Sequence, residues 1–391
     1  MTTQLFLRPG RDDAARRRHP WVFSRALAGS PSPPAEEVEV RSPSRALLGR
    51  GFLSPRSSIA ARIWRFGDGP LDASWVAGLV ESAVALRERF VPPGTDGYRV
   101  VHAEGDGLPG LVVDRYANVL AVQATTAGTE AARPLWLPPL AAGFPGASIL
   151  QRNDVASRHG EGLPLEDELL AGSPPPGRVP FRERGLTFLA DLAGGQKTGF
   201  FLDQRENRHL VRGLSAGRSV LNLFSYSGAF GVAALAGGAT RVTHVDVSAP
   251  ALALARENHA ANGQDLSLVE TVVADAFEDL RERVARGETW DVVVTDPPAF
   301  AKKTLDVDRA CRGYKDVNRL ALKLLAPGGV LLACSCSGPV SIDLFQKVLF
   351  AAALDAGVPA RILERRGAGP DHPVSIDCTE TEYLKAFLIA R

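Results

Sequence analysis

From about residue 181 the chain alternates apolar runs with helical patterns, and this alternation limits the fold more than any other feature. "SVLNLFSYSG" reads as a buried strand, "AFGVAALAGG" as a helix, "RVTHVDVS" as a strand and "ALALARENHAANG" as a helix. "SLVETVVADAF" continues the order, "WDVVVTDPPAF" is a further strand, "DVNRLALKLLAPGG" a helix and "VLLACSCS" a strand. A βαβα series of this kind builds a doubly wound sheet with helices on both faces, and ligands sit at the carboxyl ends of its strands. The expected fold class is therefore α/β, with a Rossmann-like domain over residues 179–391.

The first 178 residues follow another pattern. "EEVEVRS", "RALLGRGFLS" and "IAARIWRFG" alternate β-branched or aromatic residues with Arg and Ser, which predicts a small β-barrel or sandwich over 1–70. Apolar residues at helical spacing predict a helix over 73–90, stopped by Pro92 and Pro93. "YRVVHAEGDGLPGLVVDRYANVLAVQAT" predicts a strand, a Gly-rich turn and a hairpin, so 71–178 reads as a mixed α+β domain. The segment "LLAGSPPPGRVP" (169–180) reads as a linker.

Composition narrows the function classes. A net charge of +1 excludes a highly charged nucleic-acid tail but not a local basic patch. No apolar run is long enough to span a bilayer, and the N-terminal segment lacks the apolar core of a signal peptide, so a cytoplasmic protein with no membrane partner is expected. In a reducing compartment four cysteines do not form a disulfide framework. Cys311, Cys334, Cys336 and Cys378 include no C-x-x-C and have no His at zinc spacing, so no metal is expected.

Three successive strand ends point to a ligand. "SYSG" places a turn between the first strand and its helix, where a ligand can approach the backbone and the helix N-terminus. It is not G-x-G-x-x-G, which disfavours a pyrophosphate. Asp246 ends the second strand, where an acid can accept from ribose hydroxyls, and Asp275 ends the third, where one can accept from an adenine amine. Either Asp alone could simply cap the following helix. Together the three ends form the pattern of S-adenosylmethionine-dependent Rossmann methyltransferases, with a nicotinamide-dependent oxidoreductase as the competing class.

The fourth strand ends in "TDPPAF". Each Pro fixes φ, so Asp296, Pro297 and Pro298 form a rigid turn able to bond the edge of a planar base, while Phe300 offers a stacking surface. The fifth strand ends at Cys334-Ser335-Cys336. Cys334 lies inside the apolar run and reads as core packing. Cys336 lies at the strand terminus, where a thiol can be exposed and its acidity raised by nearby donors. Methylating C5 of a pyrimidine requires a nucleophile at C6 to build carbanion character next door, so D-P-P with a strand-end Cys is more telling than either motif alone. An exocyclic-amine methyltransferase would need D-P-P but no thiol, and a non-catalytic RNA-binding assembly factor would need neither; both stay open on the residues alone.

At these residues the chain resembles the bacterial 23S rRNA 5-methylcytosine methyltransferases that carry an N-terminal PUA RNA-binding domain. The resemblance rests on "RRHPWVFS", "AEGDGLPGLVVDRY", "GQKTGFFLDQRENR", "FSYSGAF", "DPPAFAK", "CRGYKDVN", "SCSG" and "DHPV", in family order over essentially the full length. It implies that Cys336 is the nucleophile and that Asp296 orients the cytosine. It implies that Phe224, Tyr226, Gly228, Asp246 and Asp275 bind S-adenosylmethionine, with Gln204 and Arg205 beside the same pocket. Many two-cysteine RNA m5C enzymes carry a second Cys next to D-P-P for product release; here there is none, and the base that removes the C5 proton is not identified.

The RNA-facing candidates are cationic. Residues 8–25 carry six Arg against two Asp, with Trp21 and Phe23 close by; Arg17 and Arg18 belong to this cluster. A solvated basic turn beside a core Trp would look the same. Lys302, Lys303, Arg312 and Lys315 flank the expected mouth of the site, and Tyr314 fits either a substrate contact or the core. The resemblance implies naked or partly assembled 23S rRNA as partner, since the target base must be unstacked to reach the thiol. A homodimer stays open.

Overall fold

The computed structural model describes residues 2–29, 37–301 and 303–391. It divides the chain into two units: Met1–Arg184 with Ala190–Leu202 and Pro370–Thr381, and Gly185–Leu189 with Asp203–Gly369 and Glu382–Arg391.

Unit 1 holds two five-stranded sheets. The first comprises β1 (Thr3–Phe6), β2 (Trp21–Phe23), β3 (Glu37–Arg41), β4 (Leu47–Leu53) and β5 (Ile59–Phe66), in the order β1-β3-β4-β5-β2, with α1 (Asp13–Arg16) between β1 and β2 in sequence. The period-2 pattern explains β3: Val38 and Val40 are fully buried, while Glu37, Glu39 and Arg41 face outward. The second sheet comprises β6 (Gly97–His102), β7 (Leu111–Tyr116), β8 (Val119–Ala124), β9 (Ser148–Gln151) and β10 (Glu168–Ala171), in the order β10-β9-β8-β7-β6. Leu169 and Ala171, expected in a linker, instead pair with Leu150 and Ile149 of β9, forming the edge of this sheet.

Helix α2 (Ala73–Phe90) starts where the Asp72 side chain accepts from Trp75 N, and it buries Val76, Val80 and Ala83. They join a core with Val100, Val113, Leu120 and Trp136. The smaller helices are α3 (Ala127–Ala131), α4 (Arg133–Gly143) and α5 (Ala156–Glu161), followed by strand β11 (Val179–Glu183). Segment Pro370–Thr381 is stitched into this unit by buried polar groups. The Arg87 guanidinium binds Asp106 with both Nη atoms, at 2.6 and 2.7 Å, and donates to Asp371 O at 2.7 Å. Asp371 Oδ2 in turn accepts from Arg99 N at 3.0 Å.

Unit 2 begins near β12 (Leu186–Ala190) and α6 (Arg205–Leu214). Its sheet is built from β13 (Ser219–Leu223), β14 (Arg241–Asp246), β15 (Val269–Val273), β16 (Trp290–Thr295), β17 (Leu325–Ser335), β18 (Arg361–Arg366) and β19 (Lys385–Ala390). The connecting helices are α7 (Ala229–Ala236), α8 (Ala249–Ala261), α9 (Ala276–Ala285), α10 (Val307–Lys323) and α11 (Ile342–Ala356). Strand order is β15-β14-β13-β16-β17-β19-β18, with β19 antiparallel to β17 and β18. Every residue of β13 is buried, as a central parallel strand covered on both faces requires. Strand β17 starts at Leu325, so the "LAPGG" expected at a helix end belongs to the strand, where Leu325 pairs with Trp290 of β16 before the register shifts. The order reverses between β13 and β16, which opens the crevice at their carboxyl ends. Register aligns Leu223 with Thr295 and Thr295 with Ala333, so the "SYSG", "DPPAF" and "CSCS" segments leave the sheet at one edge.

Candidate active site

The turn after β13 is held in an unusual backbone. Phe224 (φ 55°), Tyr226 (φ 45°) and Gly228 (φ 72°) all lie in the left-handed region. For the two aromatic residues this costs roughly 1–3 kcal/mol each, which surrounding bonds must offset. Asp246 does much of this: Oδ2 accepts from Tyr226 N at 2.8 Å and Oδ1 from Ser248 N at 2.9 Å. Ser225 N donates to Val245 O, and Asn258 Nδ2 to Ser227 O at 2.9 Å. Glycine is required at 228, since a Cβ there would lie 2.6 Å from Ala255 Cβ. Beneath the turn, a Cβ on Gly231 would lie 2.3 Å from His244 Cε1. His244 Nε2 and His259 Nε2 are 2.9 Å apart, and His259 Nδ1 donates to Gln264 Oε1 at 2.6 Å. Both rings are therefore neutral, with His244 as the donor; burial pushes His244 down to about 3 and His259 down to about 4.

A carboxylate has about four lone-pair positions, so Asp246 retains acceptor capacity after binding two amides. Ser225 Oγ is buried and has no hydrogen-bond partner among the described residues. Asp275 is exposed and does cap α9, with Oδ1 accepting from Phe277 N at 2.8 Å and Glu278 N at 3.2 Å.

The loop after β16 carries a half-buried Asp296, a buried Pro297 and an exposed Pro298. Phe300 is half-buried, its ring 4.7 Å from that of Tyr314, 6.1 Å from Phe277 and 6.5 Å from Phe224. Tyr314 is fully buried and shares a 2.8 Å hydrogen bond with Ser337 Oγ, which also accepts from Ala301 N at 3.1 Å. Ser337 thus ties the D-P-P loop and α10 to the residues that follow β17.

The two thiols of β17 have different surroundings. Cys334 has no exposed surface and packs with Val294, Leu332, Ala386 and Leu388. Burial pushes its thiol well above the ordinary range, with the charge of Asp296 adding to the effect. Cys336 is half-buried, one residue beyond the strand. Cys334, Tyr314 and Lys385 all sense the charge of Cys336, which places these groups in one electrostatic neighbourhood.

Gln204 and Arg205 sit at the start of α6, both buried. Gln204 bonds Cys334 and accepts from Asn207 Nδ2 at 2.6 Å; Arg205 Nε donates to Glu206 Oε1 at 3.0 Å. Lys315 Nζ is paired with Asp355 Oδ2 at 2.7 Å across α10 and α11, while Lys303 and Arg312 are exposed. Lys302 lies outside the described residues. In unit 1, Arg17 and Arg18 are exposed; Arg18 Nε lies 3.6 Å from Asp377 and its guanidinium 5.5 Å from the Phe66 ring. The Trp21 indole N–H donates to Glu104 at 2.8 Å.

Also in unit 1, donor atoms of His19, Cys378 and Glu380 lie within 4.8 Å of one another. Trp21 N donates to His19 Nδ1, so the neutral ring carries its proton on Nε2, 3.2 Å from Glu380 Oε2. This polarity suits a hydrogen-bonded pair and leaves Nε2 without a lone pair for a metal.

Sequence reasoning passed over Ser337 and Lys385. The available signal for Lys385 was a single cation in the otherwise apolar run "KAFLIA".

The known proteins that this chain resembles are methyltransferases. A family model for S-adenosylmethionine-dependent methyltransferases matches residues 165–389, and one for a PUA-like domain matches residues 5–66. The chain is 43% identical over 397 residues to ribosomal RNA large subunit methyltransferase I of Serratia proteamaculans, covering 99% of each. It is 45% identical to the protein of the same name from Shewanella denitrificans, covering all of both chains. Among solved structures, one assigned to a SAM-dependent methyltransferase from Streptococcus mutans superposes with a TM-score of 0.85 at 24% identity, again over the whole of both chains. Another, of a methyltransferase complexed with SAH, gives a TM-score of 0.87 at 25% identity over the whole of both chains.

Proposed function

The chain belongs to the family of S-adenosylmethionine-dependent methyltransferases, among the ribosomal RNA large subunit methyltransferases I, and on that footing we propose that it methylates C5 of a cytosine in 23S rRNA through a covalent Cys336 adduct. The family match sets the nicotinamide alternative aside. The observation that carries the C5 reading is the sorting of the two thiols. Cys334 is sealed in the core, while Cys336 alone reaches the open end of β17, beside the D-P-P loop.

The residues at the first three strand ends fit S-adenosylmethionine. Phe224, Tyr226 and Gly228 shape a turn for a ligand without pyrophosphate, and the unpartnered Ser225 hydroxyl lies within it. Asp246 would accept from the ribose hydroxyls and Asp275 from the adenine amine, with Gln204 and Arg205 backing the pocket. S-adenosylmethionine supplies an electrophilic methyl group.

The chain supplies the rest. Asp296 accepts from the cytosine exocyclic amine and shares a proton with N3, while Pro297 and Pro298 keep its turn rigid and Phe300 buttresses it. The Cys336 thiolate would add to C6, and the C5–C6 electron pair become available at C5, where the new bond to methyl would form as the methyl–sulfonium bond breaks and its electron pair stays on sulfur, leaving a neutral thioether. Loss of the C5 proton to a base restores the double bond and expels the thiolate. Tyr314 acts from the core, through Ser337. Arg17 and Arg18 of the PUA-like domain, with Lys302 and Lys315, would contact rRNA backbone, in naked or partly assembled rRNA. No helix among the described residues is long and apolar enough to cross a membrane, and a cytoplasmic location is part of this proposal. So is a division into modules 1–70, 71–178 and 179–391.

RNA carrying 5-fluorocytidine tests the mechanism, because fluorine at C5 cannot leave as a proton does and the adduct persists. We expect a denaturation-resistant protein–RNA complex that forms only with S-adenosylmethionine and maps to Cys336. Methylation of an exocyclic nitrogen without an adduct would overturn the reading.

A further inference from the structure

Strand β19 is buried along five of its six residues, yet it begins with a lysine. Lys385 is only 3% exposed and stands opposite Ser335 in the β17–β19 register, one residue before Cys336. Burying an ammonium is costly unless its donors are matched. Here the Nζ donates to Ser337 O and to Tyr383 O, each at 2.7 Å, and both acceptors are neutral. An ammonium has three donors, so one N–H is left without a bonded partner, and no carboxylate among the described residues pairs with it. Burial lowers its proton affinity to about 8, opposed by the charges of Cys336 and Glu382.

We propose that Lys385 is a positioning residue whose ammonium, fixed on the Ser337 and Tyr383 carbonyls, holds the Cys336 sulfur as a thiolate and aims it. This rests on Cys336 being the nucleophile. The other ionisable groups around this end of the sheet make the need plain. Asp296 and Glu382 are acids, Cys334 and Tyr314 remain protonated, and the Tyr383 hydroxyl is spent on Asp203 Oδ2 at 2.6 Å. A thiolate at 336 would otherwise face like charge, which raises its pKa. Lys385 supplies a buried cation whose charge couples to Cys336. The thiol proton departs to solvent, and no other bond changes.

The test reads thiol ionisation directly. Alkylation of Cys336 by iodoacetamide is followed by peptide mass spectrometry across pH 5.5 to 10 in the wild type, K385M and K385R. We expect an inflection in the wild type below the ordinary thiol value of about 8.5, shifted up by at least about one pH unit in K385M and largely restored in K385R. The acid limb of the pH–rate profile should move in parallel while affinity for S-adenosylmethionine stays unchanged. An unshifted K385M profile in a variant that still binds S-adenosylmethionine would overturn the proposal. If K385M does not fold, a wild-type inflection at or above 8.5 overturns it alone. Full turnover in C336A would instead defeat the nucleophile assignment, an outcome separate from the alkylation result.

Discussion

Replacing Cys334 and Cys336 with alanine, one at a time, should separate stability from chemistry across two positions of one strand. Cys334 is fully buried among Val294, Leu332, Ala386 and Leu388 and bonds Gln204. Removing its sulfur forfeits about 0.8 kcal/mol of transfer energy. Adding the residual cavity and the lost bond brings the cost to roughly 1–2 kcal/mol. For a unit of this size each kcal/mol moves Tm by about 2–4 °C, so C334A should melt about 2–8 °C lower. Its turnover per folded molecule should stay within about a factor of three of wild type. Cys336 is half-buried outside the strand, so C336A should melt within about 2 °C of wild type, yet lose turnover by at least about a thousandfold. Differential scanning fluorimetry gives the first quantity, and methyl transfer from radiolabelled S-adenosylmethionine to rRNA fragments the second. The opposite pairing, an active C336A with an inactive but folded C334A, would refute both the covalent mechanism and the division of the two thiols.

Ser337→Ala strands the buried Ala301 amide and removes one of the partners of the Tyr314 hydroxyl; it should cost about 1–3 kcal/mol in urea titration and lower kcat while the Kd for S-adenosylmethionine holds. Equal losses in both parameters would count against its role as a tie between the two loops. Asp106→Ala leaves the buried Arg87 guanidinium without its carboxylate and should destabilise unit 1 by about 3–5 kcal/mol, measured by the urea midpoint. The neutral His244–His259 pair makes unit 2 sensitive to acid. Both folded values, about 3 and about 4, lie below the unfolded value near 6.5, so the unfolded chain takes up protons first as pH falls. Stability should drop between about pH 6 and pH 4 with a slope approaching ~1.4 kcal/mol per unit for each ring, and an H244N/H259N variant should flatten it. An unchanged slope in that variant would exclude the pair as the cause.

What the sequence revealed and concealed follows from distance along the chain. The alternating strands and helices of unit 2 were legible because each element carries its own period and its own punctuation. The unequal burial of Cys334 and Cys336 was legible for the same reason, since the apolar run stops between them. Asp275 shows where local reading halts. A cap and an adenine contact require the same residue at the same strand end, and only the α9 amides show that the cap is made. The ion pair of Lys315 was not legible because Asp355, its partner, lies forty residues away in sequence. Lys385 was silent because its meaning comes from an antiparallel pairing with a strand that ends fifty residues earlier. Likewise, Leu169–Ala171 looked like a linker until β9 supplied an edge for it.

The stitching of residues 370–381 into unit 1 bears on how the chain is made. A nascent protein emerges from its N-terminus, and domains generally fold as units as they appear. Here Arg87 and Arg99 wait for Asp371, so the N-terminal unit stays incomplete until nearly three hundred further residues have been synthesised. Translation therefore passes through a long interval in which the Arg87 guanidinium holds Asp106 but lacks its Asp371 carbonyl, and the Arg99 amide lacks its carboxylate acceptor. The final acquisition of structure in unit 1 is a late event, timed by the ribosome rather than by the local sequence of the unit itself.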